Sequence, residues 1–201
     1  MRSMSARSVL DRDLITIRDD ILRFGSLVIH AVERALEALQ SGRAELAQDV
    51  VNEDQIMDDL HNQIEEQVLR TFALQQPMAG DLRRLIADLL ISNELERMAD
   101  HAAGIAKAAL RHPEDVLTEV PPPISAMAEQ VNEMIDSVMD AYVSMDGAKA
   151  REVARMDDTV DALYQRLFSQ MVSDMSSGRL SSEEGTYLLW AGHNLERIGD
   201  R

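Results

Sequence analysis

The chain has no cysteine, which excludes disulfide bridges, thiolate zinc sites and cysteine nucleophiles and suits a reducing compartment. Aromatic residues are scarce, with one Trp, three Tyr and three Phe in 201 residues, and nine Gly and five Pro leave few turn formers. A sheet protein of this length draws on more of both. No apolar run approaches the ~18 residues of a membrane span. Arg2 and Arg7 are followed by Asp11, Arg12 and Asp13 where a signal peptide needs its apolar stretch. The chain therefore reads as soluble and cytoplasmic, with no direct membrane insertion. Positive charge is also in short supply: 20 Lys and Arg stand against 36 Asp and Glu, a net charge of −16. Such a field repels nucleic acid, and no nucleic-acid partner is expected.

What abounds is Ala, Leu, Met, Glu, Asp, Arg and Gln, the residues that favour helix. Apolar positions recur at helical spacing over residues 8–40, through Leu14, Ile17, Ile21, Phe24, Val28, Val32, Leu36 and Leu39. Ser41-Gly42 supplies the stop. Further helices are expected over residues 44–74, 79–110, 124–146 and 148–177, and from Ser182 onward, where Ser182 and Gly185 make half a capping box. His112-Pro113 and Pro121-Pro122-Pro123 frame a linker at 113–123. The expected fold is all-α: two tandem three-helix bundles, residues 1–112 and 124–201.

The two halves are repeats. Asp54-x-x-x-Asp58-x-Leu60 returns as Asp157-x-x-x-Asp161-x-Leu163 at an offset of 103, and Leu95-Glu96-Arg97 returns as Leu195-Glu196-Arg197 at an offset of 100. Similar offsets on separate helices point to duplication of a three-helix unit. The first copy continues about ten residues past Asp100 on the helical pattern, whereas the chain stops at Arg201. The last helix is accordingly expected to be truncated, the second repeat C-terminally incomplete, and Asp200 less well supported than Asp100.

Within each unit the acidic pairs Asp54/Asp58 and Glu96/Asp100, and Asp157/Asp161 and Glu196/Asp200, are spaced four apart. Residues four apart on a helix differ by about 40° around its axis and can share one cation. The heptad stripe of the third helix reads Leu82, Leu85, Leu89, Ser92, Glu96, Ala99, Ala103, which puts Glu96 at an otherwise apolar position. An ionised carboxylate there needs a cation or a basic partner. If the second and third helices of each unit are antiparallel neighbours, the two pairs face each other. Oxygen-only ligands select hard ions such as Mg²⁺, Mn²⁺, Ca²⁺ or iron. The plain alternative is a solvated acidic face. Asn93 and His193 hold equivalent places one turn before each Glu and either join the set or stand as surface residues; Asp58-x-x-His61 does not recur, since Tyr164 takes the second position. Arg97 and Arg197 point about 100° away from the Glu beside them. The ferritin-like di-iron class requires Glu-x-x-His, and the chain has none. No Ser-His-Asp set, lysine nucleophile or phosphate-cradling glycine loop is visible, so no catalytic residues are assigned.

Ile91-Ser-Asn-Glu-Leu-Glu-Arg-Met-Ala-Asp-His-Ala102 and Trp190-Ala-Gly-His-Asn-Leu-Glu-Arg-Ile-Gly-Asp-Arg201 resemble the paired signatures of the PhoU family of phosphate-signalling accessory proteins. The resemblance extends to Leu22-Arg-Phe-Gly25 and to the Asp-rich starts of the second and fifth helices. It implies two three-helix bundles, a homodimer, and a non-catalytic cytoplasmic negative regulator. Such a regulator couples the ATPase subunit of the phosphate importer to a phosphate-sensing histidine kinase. It also implies metal binding, with iron, Mn²⁺ or Mg²⁺ at Asp54, Asp58, Glu96, Asp100, Asp157, Asp161, Glu196 and Asp200. Arg201 departs from the pattern, standing where His101 follows Asp100 in the first copy. A carboxylate-bridged metalloenzyme and a metal-free helical adaptor are the rival readings.

Overall fold

The computed structural model describes residues 6–111 and 119–201. His112, Pro113 and the rest of the expected linker up to residue 118 lie outside the described residues. Among the described residues there are six helices and no strand: α1 (Ala6–Ser41), α2 (Ala44–Gln75), α3 (Gly80–Arg111), α4 (Pro122–Ser144), α5 (Gly147–Ser176) and α6 (Ser182–Gly199).

α1 forms because one side of it is apolar along its whole length. Leu10, Leu14, Ile17, Ile21, Phe24, Val28, Val32, Ala35 and Leu39 recur in steps of three or four and are all buried, the stripe a core-facing helix needs. At 36 residues it is about 54 Å long. Gly42 ends it at φ +66°, a left-handed conformation that glycine adopts without steric cost.

α1, α2 and α3 pack on one another, as do α4, α5 and α6, giving the two tandem three-helix bundles. The bundles meet where α3 lies against α6 and α1 against α4, and a single apolar core runs through both.

The start of α4 and the cap of α6 differ from the sequence expectation, while α6 itself begins at Ser182 as expected. α4 begins at Pro122, not after the proline run, because Pro122 and Pro123 occupy its first turn, where the missing N–H costs nothing and the fixed φ suits a helix. α6 is capped by Ser181 rather than Ser182: its hydroxyl accepts from the Glu184 N–H at 3.1 Å, and Glu184 Oε2 accepts from the Ser181 N–H at 3.0 Å. This is a complete capping box, displaced by one residue from the expected half-box.

Candidate functional site

Each bundle gathers its four carboxylates on the side where α2 meets α3, or α5 meets α6. Burial, and then the charges of Asp100, Asp58 and Glu96, push the Asp54 carboxyl up to about 6 from its ordinary 3.8, with Lys107 pulling the other way. In the second bundle burial, followed by Asp161, Asp200 and Glu196, raises Asp157. Burial and then Asp200 raise Glu196, against the opposing charges of His193 and Arg197. The charges of the eight residues singled out by spacing thus act on one another four by four, across α2 and α3 and across α5 and α6.

The seam on α3 differs from the expected heptad stripe. The buried positions run Leu85, Asp88, Ser92, Leu95, Ala99 and Ala102, with Leu82 39% exposed. Glu96 is half-buried at the edge of that seam, and Asp100 is exposed. The carboxylates thus line a rim between two helices instead of piercing the core, and ionised carboxylates in a rim are hydrated.

Two oxygens are nonetheless cut off from water. Asp157 Oδ1 and Glu196 Oε2 are buried without a hydrogen-bond partner. A Cβ on Gly199 would stand 3.0 Å from Asp157 Oδ1, so glycine leaves that oxygen its space. Orphaned buried acceptors in an all-oxygen donor set suit a hard cation. Against this, among the described residues no three His, Asp or Glu side chains are gathered tightly enough to grip one ion together. Arg197 Nη1 donates to Asp200 Oδ2 at 2.6 Å, and Glu196 Oε2, although it accepts no hydrogen bond, has His193 Nδ1 3.4 Å away at ion-pair distance. Arg197 thus pairs with the residue at the end of its own helix. Beside the first set, His61 Nδ1 lies 3.0 Å from Ser92 Oγ. Beside the second, the Tyr164 ring is 6.1 Å from that of His193.

Sequence reasoning missed the contacts that join the two sets. His101 Nδ1 is 3.0 Å from Asn194 Oδ1, and Arg201 Nη1 donates to Glu94 Oε2 at 3.3 Å. Asp200 remains in right-handed helical geometry; its N–H donates to the Glu196 carbonyl at 3.0 Å, and the Arg201 N–H donates to the Ile198 carbonyl at 3.2 Å. It also missed a fully buried carboxylate, Asp88, whose Oδ1 accepts from the Tyr142 hydroxyl at 2.7 Å. The signal was available: Asp88 stands three after Leu85 and four before Ser92, in the middle of the buried stripe.

Residues 21–109 and 124–201 each match the PhoU domain family. A phosphate-specific transport system accessory protein PhoU homolog from Clostridium acetobutylicum is 36% identical, over 97% of this chain and 90% of its own length. One from Zymomonas mobilis subsp. mobilis is 40% identical over 94% and 80% respectively. The crystal structure of the phosphate transport system regulatory protein PhoU from Streptococcus pneumoniae superposes with a TM-score of 0.88 at 31% identity, covering 95% of this chain and 90% of that one. The PhoU structure from Pseudomonas aeruginosa gives 0.86 at 31% identity, over 94% and 91%.

Proposed function

The chain belongs to the PhoU family, and from that premise we propose that it is an accessory regulator of a phosphate transport system. In this reading it works in the cytoplasm without catalysing a reaction. It couples the ATPase subunit of a phosphate importer to a phosphate-sensing histidine kinase and restrains both uptake and starvation signalling. The observation that carries the reading is the likeness to phosphate transport regulators over nearly the whole chain, with the doubled Leu-Glu-Arg-x-x-Asp signature on α3 and α6, which pack against each other across the bundles. Deleting the gene should leave phosphate-starvation genes switched on in phosphate-rich medium, and the tagged protein should co-purify with the importer ATPase and the kinase. Normal repression in a deletion strain that has no second copy would overturn it.

The same reading includes a hard metal ion (iron, Mn²⁺ or Mg²⁺) in each bundle. Asp54, Asp58, Glu96 and Asp100 would hold one, and Asp157, Asp161, Glu196 and Asp200 the other. In the second bundle the Asp157 oxygen buried without a hydrogen-bond partner supports it. The ion would supply positive charge that removes the repulsion within each set, so that α2 and α3, or α5 and α6, are held together along the rim. Protein purified without chelator should carry the metal, and Asp54→Asn with Asp100→Asn should lose the first bundle's share. A metal-free adaptor is the second reading, favoured by the absence, among the described residues, of a tightly gathered ligand set. Wild type purified free of metal would support it, and equal metal content in wild type and double variant would overturn Asp54 and Asp100 as ligands.

A further inference from the structure

The contacts His101–Asn194 and Arg201–Glu94 are one contact made twice. Position 101 of the first repeat corresponds to 201 of the second, and 94 to 194, so each repeat reaches across with the former and receives with the latter. In the first tie Asn194 Nδ2 donates to the Trp190 carbonyl at 2.8 Å. Its Oδ1 therefore accepts, and His101 Nδ1 carries the hydrogen. In the second, Arg201 fills the role of His101 and Glu94 that of Asn194. The departure of Arg201 from the first copy's His is thus matched by a partner change from amide to carboxylate.

These ties run from one carboxylate set to the other. His101 directly follows Asp100 of the first set, and Asn194 stands two before Glu196 of the second; Arg201 directly follows Asp200, and Glu94 stands two before Glu96. Nothing cushions the helices near the first tie, since a Cβ on Gly104 would fall 2.8 Å from Asn194 Cγ and Asn194 itself is buried. α3 and α6 therefore form a stiff pair, each carrying half of one carboxylate set, with the other halves on α2 and α5.

We infer that the two carboxylate sets are coupled through these reciprocal ties, so that a cation bound in one bundle raises the affinity of the other. The inference rests on the metal reading above. An ion that draws Glu96 and Asp100 toward Asp54 and Asp58 fixes α3, and the ties carry that restraint into α6. The second ion then meets a helix already ordered, which is positive coupling. Repulsion between the two ions opposes the effect and is screened by salt, so the experiment is run at one ionic strength. His101, Asn194, Glu94 and Arg201 act here as positioning residues, not ligands.

The test is calorimetric titration of the full chain with Mn²⁺, together with amide hydrogen exchange. Wild type should bind with a Hill coefficient above 1. Disabling the second set with Asp157→Asn and Glu196→Gln should weaken the first by about fivefold or more. In that variant Mn²⁺ should still slow exchange along α6. Asn194→Ala with Arg201→Ala should confine the protection to α2 and α3, and Arg201→Lys alone should retain it. Thermal melts establish that each variant is folded. Mn²⁺ binding at unchanged first-set affinity in the disabled variant, without protection of α6, overturns the coupling and leaves the metal reading standing. No Mn²⁺ bound by folded wild type overturns both.

Discussion

Asp54 shows how a single side chain reports the state of its bundle. Its carboxyl sits at about 6 instead of 3.8, through burial first and its three acidic neighbours next. The folded chain therefore holds that proton more tightly than the unfolded one. The associated stability is complete below the ordinary value and is lost as pH rises through 6. In chelator, Asp54→Asn should stabilise the protein by about 1–2 kcal/mol at pH 7.5, after allowance for solvent screening. At pH 4 the gain should shrink toward zero. Urea unfolding at the two pH values checks this; a gain equal at both would show that the charge of Asp54 is not the cause. On the metal reading proposed above, saturating Mn²⁺ should reverse the sign, because Asn would remove a ligand charge. This behaviour was half-legible in the sequence. Spacing identified all eight carboxylates, yet it set Glu96 inside the apolar seam, because a repeat of seven drifts against a helix of 3.6 residues per turn. The true seam passes through Asp88 and Ser92, and Glu96 falls to its edge.

At the scale of the elements, the helices were readable from apolar period and stop signals, and their ends less so. The cap of α6 turned on one residue. Ser181 and Ser182 are adjacent, and only the glutamate three further on distinguishes them: Glu184 pairs with Ser181, whereas Gly185 offers Ser182 nothing. Ser181→Ala removes the acceptor for the Glu184 N–H and should cost about 1 kcal/mol. Ser182→Ala should be close to neutral, since the expected half-box does not exist. Chemical denaturation of the two variants side by side decides it, and equal losses would refute the assignment of the cap. The inter-bundle ties stayed out of reach for a different reason. His101 and Asn194 lie 93 apart in the chain, and no single-helix pattern announces which residues of α3 and α6 come opposite each other.

For the whole molecule the question is what makes two bundles one body. Apolar contact between α3 and α6 and between α1 and α4 provides most of it, and one buried polar link adds specificity on the other side of α3. Asp88, on α3, is fully buried and accepts from Tyr142 on α4, while its Oδ2 has no hydrogen-bond partner. Burial raises the Asp88 carboxyl, and the Tyr142 hydrogen bond and the charge of Arg84 oppose the rise. Burial, followed by Asp88, raises the Tyr142 phenol, with Arg84 and Arg18 acting against it. Tyr142→Phe removes the one hydrogen bond that Asp88 accepts across the bundles and leaves a buried charge with no hydroxyl to solvate it. A loss of about 1–3 kcal/mol is expected at pH 7.5. Without the hydroxyl the Asp88 carboxyl rises further, so the folded state binds its proton more tightly and stability falls as pH increases. The penalty should therefore be largest at high pH and shrink as Asp88 takes up its proton. Unfolding of Tyr142→Phe and wild type between pH 5 and 8 measures it. A constant difference across that range would show that the hydroxyl contributes packing alone and that Asp88 is not the charge it serves.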